Sequence, residues 1–362
     1  MTSLKPIQVL HVSETAIGGV ATYLRALSGL VADDLQQSYL LPENHVDGLT
    51  ELSKVETYPA KKRGLSNLVQ FGRALVRRCR TSPPQIVFFH STFALFGLVL
   101  LRITNRKIRT VYCSHGWAIS RYRVDSLKGR IVRIIEGKLC GLADVVVNVS
   151  TGDEALARQL GYSGHHITIE NAVEEPAESA RDDLFADEPE AIHLLFVGRF
   201  DRQKGLDILL AAFADAHKVR PDLRLHIVGA TVRDDGAPIE LPEGASLSGW
   251  VERNAIDDWY RSADALVVPS RWEGFGLVVP ESLRNGTPAV VSNIGALPTL
   301  IAHGETGYIF ELDQTELSKT LTALDRESLA EMKQACEQAY LERFNISRFW
   351  DEISSLFRGL LR

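Results

Sequence analysis

The sequence predicts an α/β protein built from two doubly wound, parallel-sheet domains, and three observations carry that prediction. Short β-rich runs alternate with helical patterns along nearly the whole chain, the signature of strands joined by crossover helices. The chain has 362 residues, more than one hydrophobic core usually organises. An acidic stretch with two prolines and no apolar period, "EEPAESARDDLFADEPEA" at 174–191, separates two such alternating series and reads as a linker.

In the first series, strands are predicted at "IQVLHV", "SYLLP", "QIVFFH", "TVYCSH" and "DVVVNVS". Helical patterns such as "GVATYLRALSGLVAD" and "GRIVRIIEGKLCGL" lie between them. In the second series the strands are "HLLFVG", "LRLHIVG", "ALVVPS", "PAVVSN" and "GYIFEL", with helices at "GLDILLAAFADAHKV", "NAIDDWYRSA" and "FGLVVPESLRNG". After "GYIFEL" the pattern is helical to the end. The expected organisation is a first domain over 1–173, a linker over 174–191, a second domain over 192–340 and a terminal helical segment over 341–362. In that last segment Ile346, Phe349, Trp350, Ile353, Phe357 and Leu360 recur at helical spacing and form a packing face. Ligands of doubly wound sheets bind outside the carboxyl ends of the strands, so two such domains are expected to face each other across a cleft.

Composition narrows the function. Hydrophobic content of 45% and charged content of 24% are those of a globular protein, not of a disordered one. The longest apolar run, "FALFGLVLL" at 93–101, is about half of a spanning helix. The opening "MTSLKPIQVLHV" enters a strand pattern directly, so no signal peptide and a cytoplasmic location are expected. Cys79, Cys113, Cys140 and Cys336 form no CxxC pair and the ten histidines no HExxH, which speaks against structural zinc or a zinc protease. The net charge of −6 divides into +5 over residues 1–180 and −11 over 181–362. The basic half is expected to meet an anionic surface or substrate. Few aromatics interleave with those cations, which ranks nucleic acid low.

Four stretches carry candidate chemistry. In "HVSETAIGGVATYL", Gly18 and Gly19 follow a strand and open a helix, where backbone can approach an anion; a tight strand-to-helix turn explains them equally. The spacing is not GxGxxG. In "HLLFVGRFDRQKGLDILL", Gly198 ends a strand, and Arg199 and Lys204 stand before a helix. Two cations there can hold a diphosphate without a metal ion, or be solvated loop charges. In "PSRWEGFGLVVPES", Glu273 lies in the loop after a strand and Glu281 two turns further on. Carboxylates at a sheet's end suit vicinal hydroxyls, and the N–H groups of Phe275, Gly276 and Leu277 are free to meet a phosphate. His115 in "YCSHGW" sits at a strand end, where a histidine can also be an ordinary hydrogen-bonded one. No DxD-like metal motif occupies a strand-end loop; "RDD" at 233–235 reads as a solvated polar loop.

Taken in order, "GRFDRQKGLDILLAAFA", "LHIVGA", "LSGWV", "YRSADALVVPSRWEGFGLVVPESLRNGTPAVVSN" and "HGETGYIF" resemble the retaining nucleotide-sugar glycosyltransferases of glycosyltransferase family 4, which have the GT-B fold. The detailed resemblance covers about residues 193–312 and extends more loosely through "GGVATYL", "SHGW" and "GDEALARQLGY". It implies that Arg199 and Lys204 grip the donor diphosphate, Glu281 binds the ribose and Glu273 the donor sugar. It implies that the N–H groups after Glu273 meet sugar and phosphate, that Gly18 and Gly19 approach the diphosphate, and that His115 is the first domain's histidine near the donor sugar. In this fold the C-terminal helix crosses back to the first domain. Two positions depart from the family pattern. Asn171-Ala172 stands for the usual Asn-Gly, and Thr299 follows Pro298 where a glutamate is usual.

The activity so implied is retaining, metal-independent transfer of a hexose or N-acetylhexosamine, with no cofactor. The donor is a UDP-sugar ahead of a GDP-sugar, and the acceptor a hydroxyl of a lipid-linked sugar in cell-surface polysaccharide or glycolipid assembly. A non-catalytic sugar-nucleotide-binding subunit, or an epimerase or hydrolase on the same fold, are the alternatives. The stretch "KKRGLSNLVQFGRALVRRCR" at 61–80 carries a stripe of Leu65, Leu68, Val69, Leu75 and Val76 among seven basic residues. It is either a crossover helix or a helix at an anionic membrane surface, with Arg73, Arg77 and Arg78 toward the headgroups. Arg121 and Arg123 in "SRYRVDSLKGR" add charge for an acceptor or for the inner face of the plasma membrane.

Overall fold

The computed structural model describes residues 5–60, 64–230, 240–253 and 255–362. The chain forms two compact units, one of residues 1–171 with 346–362 and the other of residues 172–345. The "RDD" loop and the basic residues 61–63 lie outside the described residues.

The first unit holds strands β1 (Ile7–Ser13), β2 (Leu35–Pro42), β3 (Val55–Tyr58), β4 (Ile86–His90), β5 (Arg109–Cys113), β6 (Val145–Asn148) and β7 (His166–Thr168). Its helices are α1 (Gly19–Ser28), α2 (Leu65–Thr81), α3 (Ala94–Thr104), α4 (Leu127–Leu139) and α5 (Thr151–Gln159). The strands form one parallel sheet in the order β3-β2-β1-β4-β5-β6-β7. Parallel neighbours require crossovers, which the helices supply. The central strands are apolar and buried on both faces, as in β4, where all five residues are buried. The edges β3 ("VETY") and β7 ("HIT") are short, polar and partly exposed, so they carry no apolar run that the sequence could signal.

Helix α2 buries a different stripe from the expected one. Phe71, Ala74, Leu75 and Cys79 face the core, while Val69 is exposed and Val76 half-buried. Val69, Gly72 and Val76 instead line a cavity of about 670 Å³ against Phe96 and Leu100 of α3, rimmed by Arg73, Arg77 and Arg80. The C-terminal helix, Ile346–Gly359, groups with this unit. It buries Ile346, Phe349, Ile353 and Phe357, and its Trp350 indole donates to Ala26 O at 2.7 Å.

The second unit holds β8 (Ile192–Val197), α6 (Leu206–His217), β9 (Leu223–Val228), β10 (Ala245–Gly249), α7 (Ile256–Ser262), β11 (Ala265–Val268), α8 (Val278–Leu283), β12 (Ala289–Ser292), α9 (Leu297–Leu300), β13 (Gly307–Phe310) and α10 (Gln314–Thr322). Its parallel sheet runs β10-β9-β8-β11-β12-β13. The edge β10 ("ASLSG") is again partly exposed and without an apolar run. Residues 174–191 lie against α7. Ala177 N–H donates to Asp257 Oδ2 at 3.0 Å, Arg181 N–H to Asp258 Oδ1 at 2.8 Å, and Phe185 stacks on His226 with 3.8 Å between centroids.

In each sheet the strand order reverses once, between β1 and β4 and between β8 and β11. Such switch points open a crevice at the strands' carboxyl ends. The loops there run from 14 to 18, from 91 to 93, from 198 to 205 and from 269 to 277.

Candidate functional site

In the second unit the switch-point loops bring Lys204 and Glu273 into contact, from the loop after β8 and the loop after β11. Lys204 Nζ stands 2.5 Å from Glu273 Oε1, and the pair is largely buried, at 17% and 8% exposure. Ser270 Oγ donates to the same oxygen at 3.0 Å, and Gln203 Nε2 reaches Glu273 Oε2 at 3.4 Å and Trp272 O at 3.0 Å. A carboxylate this buried is tolerable because an opposite charge and two neutral donors surround it. Arg199 is about half exposed (48%), pairs with Asp201 at 3.0 Å and holds no buried contact.

The backbone makes this proximity possible. Gly205 has φ +69°, and a Cβ there would lie 2.0 Å from Pro269 O, so any side chain would push the two loops apart. Gly295, at φ +59° in the turn after β12, would place a Cβ 2.5 Å from Glu273 O.

Helix α8 begins at Val278, three residues later than the expected start at Phe275, so Glu273 lies in the preceding loop and Glu281 one turn into the helix. The N–H groups of Phe275, Gly276 and Leu277 donate to no acceptor among the described residues, as befits the start of a helix. Glu281 Oε2 accepts from Tyr260 Oη at 2.9 Å. Burial pushes its carboxyl above the usual range, opposed by the positive charge of Arg284. The structure gives Glu273 and Glu281 different partners and brings neither into hydrogen bonding with the other.

In the first unit, Gly18 and Gly19 open α1 after β1, with open space where their Cβ atoms would be. His115 follows β5 with φ +57°, a backbone region that non-glycine residues seldom occupy. Its Nε2 is 3.0 Å from His90 Nδ1, whose Nε2 is 3.1 Å from His11 Nδ1. His11 Nε2 meets Gln37 Oε1 at 2.9 Å. Burial lowers all three imidazoles, His11 and His115 to about 3, with His90 lowered further by its two neighbours.

Arg73, Arg77, Arg121 and Arg123 are exposed. Arg78 is not: its Nε donates to Glu56 Oε1 at 2.6 Å and holds α2 to β3. Among the described residues no three His, Cys, Asp or Glu side chains gather where they could hold a metal ion.

Two family models match the chain: "Glycosyltransferase Family 4" over residues 17–175 and "Glycosyl transferases group 1" over residues 178–340. The chain belongs to this glycosyltransferase family. An uncharacterised 41.2 kDa protein of the Klebsiella pneumoniae cps region is 27% identical over 98% of this chain and 100% of its own length. A D-inositol 3-phosphate glycosyltransferase of Pseudarthrobacter chlorophenolicus is 34% identical; that match takes in 47% of this chain and less than half, 44%, of the relative. Among solved structures, sucrose-phosphate synthase from Thermosynechococcus elongatus superposes with a TM-score of 0.83 at 21% identity, covering 98% of this chain and 99% of the other. Anabaena HepE in complex with UDP superposes at 0.79 with 17% identity over 98% and 100%, and HepE has also been solved with UDP-glucose. The fold class of this family-4 glycosyltransferase is therefore GT-B, from two parallel-sheet α/β units.

Sequence reasoning did not single out Gln203, Ser270, Tyr260 or Gly295, nor the partners His11, His90 and Gln37. One signal for the histidines was present. Three strand patterns, "VLHVS", "VFFHS" and "YCSHG", each carry a histidine near their carboxyl end, and β1, β4 and β5 are neighbours in the sheet.

Proposed function

We propose that this glycosyltransferase transfers a hexose or N-acetylhexosamine from a nucleoside-diphosphate sugar, with retention and without a required metal ion. The observation that carries the reading is the Lys204–Glu273 pair at the second unit's switch point, with Arg199 on the same loop as Lys204. A departing diphosphate gains negative charge in the transition state. Arg199 and the N–H groups of Lys204 that Glu273 does not use are the cations to meet it, each such donor contributing about 3 kcal/mol. Glu273 is left to accept from the sugar's hydroxyls, and Glu281, whose second oxygen Tyr260 does not fill, from the ribose. The leaving phosphate takes the acceptor's proton, so no protein base is needed. A uridine donor is favoured by the UDP and UDP-glucose complexes of HepE.

The acceptor in this reading is a lipid-linked sugar reached from an anionic membrane surface. Helix α4 supports that placement. It exposes Leu127, Ile131, Ile134 and Ile135 on the face opposite buried Gly129 and Glu136, flanked by Lys128, Arg130 and Lys138. No described helix is long and apolar enough to cross a membrane.

The test is a donor screen in EDTA. UDP- and GDP-sugars are incubated with wild type and Glu273→Ala, and nucleoside diphosphate release is followed. One donor should be turned over in EDTA and lose at least about a hundredfold in rate in the variant. Absence of both turnover and nucleotide binding for every donor would overturn the reading.

A further inference from the structure

The row Gln37–His11–His90–His115 admits one arrangement of protons when its rings are neutral. Gln37 sits in β2 with its side-chain amide fixed from the other side: Nε2 donates to Leu27 O at 2.8 Å and to Leu30 O at 3.0 Å. Its Oε1 is therefore the atom facing His11, and it can only accept. His11 Nε2 must carry a proton. A neutral imidazole carries only one, so His11 Nδ1 is bare and accepts from His90 Nε2. The same step repeats: His90 Nδ1 is bare and accepts from His115 Nε2. His115 then ends the row with Nε2–H engaged and Nδ1 unprotonated.

The neutrality required has a physical cause. His11 and His90 are fully buried. Aromatic rings of Tyr23, Tyr39, Phe88 and Phe357 surround the row, and no carboxylate is hydrogen-bonded to any of the three rings among the described residues. An imidazolium at His11 or His90 has neither water nor counter-charge, and its pKa falls accordingly. His115 is only half-buried, its backbone is held at positive φ, and its Nδ1 has no partner among the described residues.

We propose that Gln37 fixes the tautomer of His115 through His11 and His90, so that His115 presents a bare Nδ1 as a hydrogen-bond acceptor to a sugar hydroxyl. Gln37, His11 and His90 are positioning residues in this scheme, and His115 is the group that touches substrate. The sugar rests on the transferase reading above; the tautomer does not. His115 thereby offers no free ring N–H and no positive charge to a ligand at Nδ1.

The test is nitrogen NMR of the full chain labelled with 15N-histidine. Long-range proton–nitrogen correlations distinguish a protonated ring nitrogen from a bare one, and signals are assigned by omission in His11→Asn and His115→Asn. All three rings should show protonated Nε2 and bare Nδ1 in the wild type at pH 7. An Nδ1–H form, an imidazolium or an average of two tautomers at His115 would overturn the proposal, whatever the enzyme transfers. Gln37→Leu removes the acceptor that orients the row, so His115 should become a tautomer mixture and kcat/KM for the sugar donor should fall about three- to tenfold. Gln37→Glu restores the pattern: at this half-buried position the Leu27 and Leu30 carbonyls hold the carboxyl protonated, so it donates to one of them and accepts from His11. A single Nε2–H tautomer and near wild-type kcat/KM are expected there. If Gln37→Leu keeps a single tautomer at His115, the relay is refuted. If the tautomers behave as stated but no donor is turned over, the relay stands and the transferase reading fails.

Discussion

Lys204 and Glu273 each neutralise a charge that the fold would otherwise strand. Removing one partner of a largely buried pair leaves the other uncompensated, at a cost of about 3–5 kcal/mol. Lys204→Ala should therefore do two separate things. It should lower stability by about that amount in urea unfolding, and it should reduce turnover by roughly a hundred- to a thousandfold through loss of a cation at the leaving group. Combining Lys204→Met with Glu273→Gln should recover most of the stability, because no buried charge is then unpaired, and none of the turnover. If the double variant regained activity, the pair would be a packing device and the diphosphate would be held elsewhere. Arg199, half exposed and held only by surface contacts with Asp201 and Gln203, should behave differently: Arg199→Ala should cost turnover with little change in unfolding.

Helix α4 shows the same division between packing and use on a larger element. Its core side is Gly129, Glu136 and Gly137, small or hydrogen-bonded groups, with Glu136 accepting from Thr92 and from the N–H groups of Ala118 and Ile119. Val132 and Leu139 also pack against the core, while Leu127, Ile131, Ile134 and Ile135 point the other way. Vesicles containing anionic lipid should bind the protein in a salt-sensitive manner, since each basic residue near the surface contributes about 1 kcal/mol. Changing Ile131 and Ile134 together to glutamate should weaken co-sedimentation by on the order of 3 kcal/mol, more than a hundredfold, with donor turnover in solution unchanged. Equal binding of wild type and double variant would remove α4 from the membrane reading. The sequence pointed to α2 for this role because basic residues and an amphipathic stripe are both legible there. What periodicity cannot tell is which side of an amphipathic helix meets the core. In α2 the core-facing residues are Phe71, Ala74, Leu75 and Cys79, Val69 is exposed and Arg78 is held by Glu56, whereas in α4 four large aliphatic residues face outward. The central strands were legible for the opposite reason: burial on both faces leaves a continuous apolar run, while the polar edges β3, β7 and β10 leave none. Gly198, Arg199, Lys204 and Glu273 were singled out because strand-end loops announce themselves in sequence. Gln37 sits inside a strand, and only the sheet order places it beside His11.

At the scale of the whole molecule, the buried histidines make stability depend on pH in a stated direction. In the folded chain His11 and His115 protonate only near pH 3 and His90 is also held far below its ordinary value. In the unfolded chain each protonates near 6.5. Below pH 6.5 the unfolded state therefore binds more protons, and stability falls as pH falls, by up to about 1.4 kcal/mol per pH unit for each ring. The contribution is fully present above pH 6.5 and is lost progressively toward pH 3. Glu136 and Asp153, whose carboxyls burial raises, act in the opposite sense, since the folded state holds their protons more tightly. Near pH 5 to 6.5 unfolded carboxyls are already largely ionised, so these two groups offset part of the loss from three rings. Three rings outnumber two carboxyls, so the balance is a net loss between pH 7 and pH 5. It should concentrate in the first unit, where all five groups reside. Amide exchange corrected for intrinsic rate should show β1, β4 and β5 losing protection over that interval. His11→Asn should flatten that dependence by about one ring's share, since the variant removes one of the three titrating groups. A pH dependence left unchanged by His11→Asn would mean that the ring gains its proton in place, and with it the single proton arrangement along the row would be lost.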